Sequence, residues 1–123
     1  MGSFPDAAEI VSEAEVEQAY RQLAAGLQPL ILAGDCVLIG VLMGGMIPTA
    51  RLAGMLKGDF LLDCCQVSRY RGGVEGGTLD WLLAPRADLD GKTVLLVDDI
   101  YDEGVTLDHV VSALENGACR PRV

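Results

Sequence analysis

Histidine and closely spaced cysteine pairs are scarce in this sequence, and this shortage argues against a zinc protein. The 123 residues include one histidine and four cysteines. A structural zinc site takes about four Cys or His ligands at short spacings, and no Cys-x-x-Cys pair is present, so a zinc protein is not expected. Cys64 and Cys65 stand next to each other in an apolar run. Because neighbouring side chains of a strand alternate, we predict two small core residues there rather than a disulfide.

Positive charge and long apolar runs are also in short supply. Nine Lys and Arg residues face 18 Asp and Glu residues, which gives a net charge of -9. Such a chain repels a polyanion, so no nucleic-acid partner is expected. No segment approaches the roughly 18 uninterrupted apolar residues of a membrane helix, and no signal peptide is visible. We therefore expect a cytoplasmic protein with no membrane partner.

Apolar residues, by contrast, make up half of the chain, which is rich in leucine, valine, alanine and glycine. This composition is typical of an α/β core. The length fits one domain, residues 1–123, near the lower end for a doubly wound sheet.

Strand-like and helix-like patterns alternate along the sequence. Ser12 and Glu15 have capping-box spacing, and apolar residues then recur every three or four positions, at Val16, Tyr20, Leu23 and Leu27. Further helices are predicted at 47–56 and from 107 to 114, with strands at 36–42, 60–67, 79–83 and 93–97. This order predicts an α/β fold with a parallel sheet and flanking helices. Few residues remain after the last helix, so we expect the sheet to lack one or more C-terminal strands.

The most informative segment follows the strand predicted at 93–97. Asp98, Asp99, Asp102 and Glu103 crowd its carboxyl end, and a Gly-x-Thr turn then opens the last helix. Ligands of open α/β sheets bind outside the carboxyl ends of the strands. Carboxylates there hold hydroxyls or a metal ion, and backbone N–H groups of the turn hold an anion. Helix capping uses only one such residue, so we interpret this acidic turn as a ligand site.

Two other acidic motifs fit the sequence less well. In response-regulator receiver domains the paired aspartates end the first strand, and roughly a hundred residues follow to complete the domain. Only 24 residues follow Asp99. The acidic residues also lack the alternating spacing of a calcium-binding EF-hand loop.

The acidic turn resembles the phosphoribosyl diphosphate signature of type I phosphoribosyltransferases, over residues 94–107. Aspartate at position 102 is common in the 6-oxopurine branch of that family, the hypoxanthine-guanine and xanthine-guanine type. Two further segments are similar to family motifs in the expected order. Residues 40–45 look like the diphosphate loop, with Met43 where lysine is common, and residues 68–78 look like the mobile active-site loop.

The resemblance implies a role for each residue of the acidic turn. Ribose-phosphate binding would involve Asp98, Asp99, Asp102, Glu103, Gly104, Val105 and Thr106. The first two would hold the ribose hydroxyls and fix Mg²⁺, directly or indirectly, because oxygen ligands suit that cation. Asp102 would be the catalytic acid/base group near the purine N7. Backbone N–H groups of residues 103–106 would bind the 5-phosphate, helped by the helix N-terminus.

The other two segments would complete the sugar-phosphate half of the site. Met43, Gly44 and Gly45 would contact diphosphate. Ser68, Arg69 and Tyr70 belong to the loop that closes over the substrate and excludes water. Arg69 or Arg71 is a candidate source of the positive charge missing at position 43.

The family likeness implies the Rossmann-like type I phosphoribosyltransferase fold and a purine salvage enzyme. It would transfer the 5-phosphoribosyl group from phosphoribosyl diphosphate to hypoxanthine, guanine or xanthine, giving IMP, GMP or the xanthine nucleotide and diphosphate. A homodimer or tetramer is usual in such families. Other functions stay open. The chain could be a non-catalytic sensor of phosphoribosyl diphosphate or a nucleotide on the same fold, or an inactive truncated homologue. It could also be an α/β domain of another class that binds magnesium for another reaction. Family members continue beyond position 123, where they carry the groups that read the base.

Overall fold

The computed structural model describes residues 12–69, 79–99 and 105–115. They form an α/β unit of three helices and four strands. In chain order these are α1 (Glu13–Ala33), β1 (Cys36–Val41), α2 (Met46–Met55), β2 (Leu61–Arg69), β3 (Leu79–Leu83), β4 (Thr93–Val97) and α3 (Val105–Glu115). Among these residues, no helix is long and apolar enough to cross a membrane.

The sheet has the strand order β3-β2-β1-β4. β1 is parallel to both β2 and β4, and β3 is antiparallel to β2 at the edge. Every residue of β1 is buried, which explains its unbroken apolar sequence. The predicted α/β fold with a parallel sheet and flanking helices is therefore confirmed, with one antiparallel strand added.

Two hydrophobic cores cover the two faces of the sheet, because successive side chains of β1 point to opposite sides. The α3 core is formed by Val37, Ile39, Val41, Cys65, Leu89, Val94, Val110 and Leu114. The α1/α2 core is formed by Ala24, Ile31, Cys36, Leu38, Leu52 and Leu56. The helix that follows β1 thus packs on one face, and the helix that follows β4 packs on the other.

The first helix begins as the sequence predicts. The Ser12 hydroxyl accepts from the Glu15 N–H at 3.1 Å, and the Glu15 carboxylate accepts from the Ser12 N–H at 2.8 Å. The apolar stripe differs in one member, since Leu23 is 50% exposed and Ala24 is buried in its place. Helix α1 is also held to α2 by Arg51, which pairs with Glu17 at 2.6 Å and lies over the Tyr20 ring.

The connection from β3 to β4 is fixed by one carboxylate in β2. Asp63 accepts three backbone N–H groups at 2.7 Å each, from Cys64, Arg86 and Ala87. Arg86 and Ala87 belong to the segment that carries the chain from the β3 edge to β4. Asp63 thereby anchors this crossing segment to the sheet.

The end of β2 corrects one prediction. The mobile loop was expected at 68–78, but Ser68 and Arg69 belong to β2, where they pair with Asp80 and Leu79. The antiparallel partner β3 extends the strand, because its backbone completes the hydrogen bonding of these two residues. Residues 70–78 lie outside the described part of the chain. Cys64 and Cys65 are both free thiols, as predicted, and only Cys65 is fully buried.

Candidate functional site

The strand order reverses between β1 and β4, which makes this position a topological switch point at the carboxyl edge of the sheet. From β1 the chain passes through α2 to β2 on one side, and it later returns to β4 on the other side of β1. The connections after β1 and β4 therefore leave the sheet in opposite directions. This arrangement is the usual ligand-binding position of open α/β sheets. Asp98 and Asp99, which begin the acidic turn, and the glycine loop at 42–45 border this position.

Two glycines let these segments touch. A Cβ atom on Gly45 would collide with the Val97 and Val41 backbone, so only glycine allows the start of α2 to lie this close to β4. A Cβ atom on Gly44 would fall on the Asp99 carboxylate. Asp99 therefore lies directly against the glycine loop, although more than fifty positions separate the two in sequence.

The glycine loop is held by its own backbone. Gly45 donates to the Val41 carbonyl at 2.8 Å, and Met46 donates to the Met43 carbonyl at 3.1 Å. The peptide bond between Leu42 and Met43 is cis. Met43, the uncharged residue of this loop, is 62% exposed.

Asp98 has a different environment from its neighbour. Its side chain is partly buried, and its Oδ1 accepts the Asp99 N–H at 2.7 Å. Burial raises the pKa of this carboxyl, and the adjacent Asp99 carboxyl raises it further, while the backbone hydrogen bond from Asp99 opposes both. Cys65 lies near it on the α3 face. Burial, together with the charges of Cys64, Asp63 and Asp98, raises the pKa of the Cys65 thiol to about 11.

The remaining predicted site residues divide into described and undescribed positions. Val105 and Thr106 form the first turn of α3, so the backbone of the predicted phosphate-binding segment enters a helix N-terminus there. Ser68 and Arg69 end β2, the strand beside β1. Tyr70, Asp102, Glu103 and Gly104 lie outside the described residues. Among the described residues, no group of three or more His, Cys, Asp or Glu side chains is placed to hold a metal ion.

Comparison with known proteins agrees with this geometry. The family model described as the phosphoribosyl transferase domain matches residues 6–122. This chain belongs to the phosphoribosyltransferase family. A curated relative, the hypoxanthine-guanine phosphoribosyltransferase of Streptococcus pneumoniae, is 30% identical over 102 residues, which are 82% of this chain and 57% of the relative. The chain thus spans little more than half the length of that relative.

Solved structures of purine phosphoribosyltransferases are similar to this chain. A purine phosphoribosyltransferase from Pyrococcus horikoshii is 31% identical with a TM-score of 0.70, over 91% of this chain and 71% of that one. A hypoxanthine phosphoribosyltransferase from Trypanosoma cruzi, solved with its product IMP, is 27% identical with a TM-score of 0.77, over 89% and 63% of the two chains. The type I phosphoribosyltransferase fold and the likeness to the hypoxanthine-guanine type are therefore confirmed.

Two features of the site could not be read from the sequence motif. Cys65 belongs to no motif, and the strand register that pairs it with Val41 of β1 brings it within electrostatic reach of Asp98. The contact between Gly44 and Asp99 depends on strand order, because β4 must lie next to β1 for the two loops to meet. The paired glycines at 44–45 were the available signal, since they indicate a close backbone approach.

Proposed function

We propose that this chain carries the sugar-phosphate half of a purine phosphoribosyltransferase site. The reaction would transfer the 5-phosphoribosyl group from phosphoribosyl diphosphate to a 6-oxopurine, hypoxanthine, guanine or xanthine. The bond from the anomeric carbon to the diphosphate oxygen breaks, a bond from that carbon to a purine nitrogen forms, and diphosphate leaves. The observation that carries the proposal is the close approach of Asp99, in the acidic turn, to Gly44 of the glycine loop at the switch point between β1 and β4.

The arrangement suits a transition state with positive charge on the sugar. Asp98 and Asp99 follow β4 and would hold the ribose hydroxyls beneath the anomeric carbon. The glycine loop, packed against Asp99, would receive the diphosphate. Placement of the two reacting groups and stabilisation of charge would then supply most of the rate enhancement, without a covalent intermediate.

The turn between β4 and α3 would supply the other contacts. The helix N-terminus at Val105 and Thr106 provides N–H groups for the 5-phosphate, and Gly104 would allow a close approach. Asp102 would accept, near the purine N7, the proton that the purine loses as its nitrogen bonds to the sugar. Ser68 and Arg69 end β2 beside this edge, and closure of the loop that begins at Tyr70 would exclude water.

Magnesium fits the donor set of this edge. Mg²⁺ binds proteins through one or two carboxylates and completes its shell with water and substrate oxygens, so it does not need a cage of three protein ligands. The paired carboxylates of Asp98 and Asp99 meet that requirement, directly or through water. When bound, the cation would neutralise charge on the departing diphosphate.

The test is an assay of turnover with phosphoribosyl diphosphate, Mg²⁺ and each of hypoxanthine, guanine, xanthine and adenine. Turnover is measured as the release of diphosphate. It is run on this chain and on any longer product of the same reading frame. We expect turnover of 6-oxopurines but not of adenine. Asp102→Asn should lower kcat at least about 100-fold, as the loss of a general acid/base does, while calorimetry still detects phosphoribosyl diphosphate.

The same measurements separate the enzyme from a sensor. If this chain and any longer protein from the same reading frame bind phosphoribosyl diphosphate but catalyse no turnover, the transferase hypothesis is contradicted. A regulatory protein on this fold is then favoured. Absence of phosphoribosyl diphosphate binding would contradict both and leave a magnesium-binding domain of another class.

A further inference from the structure

A groove of about 450 Å³ lies between α2 and β2 and has mostly apolar walls. Met46 and Leu62 line it, and their side chains are 46% and 59% exposed. Of the described residues that line the groove, only Asp63 is charged, and its carboxylate is already occupied by three backbone N–H groups. The groove therefore suits a small apolar molecule and disfavours an ion.

One polar group in this groove lacks a partner. Thr49 of α2 lines the groove and is 5% exposed, and its hydroxyl has no hydrogen-bond partner among the described residues. The hydroxyl lies against Gly40 of β1, where a Cβ atom would come within 2.5 Å of the Thr49 Oγ1. Because a buried hydroxyl without a partner is costly, a ligand oxygen that accepts a hydrogen bond from Thr49 would be favoured.

A nucleophile borders the same space. Cys64 lines the groove, and the strand register places it beside Gly40, against which the Thr49 hydroxyl lies. Its thiol is free and partly exposed, whereas the free thiols of Cys36 and Cys65 are buried. A thiol and a hydroxyl donor on either side of a glycine are complementary to an α,β-unsaturated carbonyl compound. The hydroxyl can bind the carbonyl oxygen while the sulfur attacks the β-carbon.

We propose that this groove binds small apolar α,β-unsaturated carbonyl compounds and that Cys64 captures them covalently. The sulfur forms a bond to the β-carbon, and the carbon–carbon π bond breaks. Its electrons pass to the carbonyl oxygen, which accepts from the Thr49 hydroxyl, and the proton lost by the thiol ends on the α-carbon. The addition needs no oxidant, and the inference does not depend on the proposed transferase activity.

The test compares two maleimides of similar size on the native protein. N-ethylmaleimide is an apolar α,β-unsaturated carbonyl compound, and N-(2-carboxyethyl)maleimide is its anionic analogue. Peptide mapping by mass spectrometry follows the rate at each cysteine separately. The reference is an exposed thiol, Gly54→Cys in a Cys64→Ser background, because nothing lies within 4 Å of a Cβ atom at position 54.

The quantity compared is the ratio of the apolar to the anionic rate at one thiol. This ratio cancels the thiolate fraction, and the reference corrects for the net charge of -9, which repels the anionic reagent everywhere. At Cys64 the ratio should exceed that of the reference thiol at least about tenfold, because the groove disfavours a charge. Equal ratios at the two thiols overturn the inference. Labelling of Cys64 only after unfolding also overturns it, since a second copy or another part of the chain then covers the groove.

Thr49→Val tests the hydroxyl, since it removes the donor and nearly keeps the shape. The addition of N-ethylmaleimide to Cys64 should slow about fivefold, which corresponds to one neutral hydrogen bond. Thr49→Ser keeps the donor and should keep the rate. Circular dichroism checks that both variants are folded. An unchanged rate in folded Thr49→Val, or an equal loss in Thr49→Ser, overturns the assigned role of Thr49 and with it the class of ligand.

Discussion

Asp63 in β2 and Asp99 after β4 are the same residue type on opposite sides of β1, but their carboxylates have different roles. Asp63 accepts three backbone N–H groups at 2.7 Å and ties the segment between β3 and β4 to the sheet. Asp99 receives no hydrogen bond from an N–H group of the described residues and lies against a glycine instead. The Asp63 carboxylate is occupied by backbone hydrogen bonds, whereas the Asp99 carboxylate is available for a ligand.

The difference teaches how to separate structural from functional aspartates in this chain. A carboxylate whose lone pairs are filled by backbone donors has little capacity left for a ligand. A carboxylate such as Asp99, which accepts no N–H group of the described residues, keeps that capacity. Substitutions at the two places should therefore change different quantities, folding stability in one case and ligand affinity in the other.

Asp63→Ala should produce the largest loss of stability. It removes an acceptor from three N–H groups, and hydrogen bonds to a charged group are worth about 1.5–3 kcal/mol each when partly buried. Since the bond to Arg86 is exposed, we expect a total loss of about 3 kcal/mol in the free energy of unfolding. Urea denaturation followed by circular dichroism measures it.

Asp63→Asn is the control for Asp63→Ala, because it keeps one acceptor oxygen and the same volume. Its loss should be about half as large. The comparison between Asp63 and Asp99 would break if Asp63→Ala cost less than about 1 kcal/mol, or if Asp99→Asn destabilised the protein as much as Asp63→Ala does.

Gly45→Ala and Gly44→Ala test the same comparison, and we expect intermediate losses in the free energy of unfolding. The Cβ at position 45 would meet backbone carbonyls that cannot move, so we expect a loss of about 2 kcal/mol from overpacking. The Cβ at position 44 would meet only the Asp99 side chain, which can rotate away. Its stability should fall by less than about 1 kcal/mol, while affinity for diphosphate changes. Thermal unfolding and calorimetry measure the two effects.

Gly54→Ala serves as the control for the glycine series. Nothing lies within 4 Å of a Cβ at position 54 in α2, so the substitution should stabilise the helix by about 0.5 kcal/mol. Equal destabilisation by Gly44→Ala and Gly45→Ala would mean that Asp99 is as immobile as the backbone, contrary to its role as an available carboxylate.

The sequence was sufficient for the positions of the helices and strands, because these depend on local patterns. The capping box at Ser12, the apolar run of β1 and the Gly-x-Thr turn each indicate a structure within a few neighbouring residues. The antiparallel pairing of β3 with the end of β2 was not predictable in the same way. It depends on a partner beyond position 78, and it moved Ser68 and Arg69 from a loop into a strand.

Contacts between distant segments account for what the sequence could not predict at the site. The approach of Gly44 to Asp99 requires β4 to lie beside β1, and no local pattern states that order. Asp63 gave no motif at all, since one polar residue in an apolar strand is compatible with many arrangements. Its role became visible only when the position of Arg86 and Ala87 was known.

Asp98→Asn should change the free energy of unfolding least. The change should be a gain in stability, opposite in sign to that of Asp63→Ala. Burial raises the pKa of Asp98 above the ordinary carboxyl value of 3.8, so the folded state holds the proton more tightly than the unfolded state. The stability that this proton provides is complete below pH 3.8 and is lost as pH rises through the folded-state pKa. At pH 7 the variant should therefore be more stable than wild type, by less than about 1 kcal/mol because part of the side chain faces water. Urea unfolding from pH 3 to 7 measures the difference, with exposed Asp90→Asn as the control for net charge. A variant less stable than wild type at pH 7 would show that Asp98 supports the fold, as Asp63 does, and does not belong with Asp99.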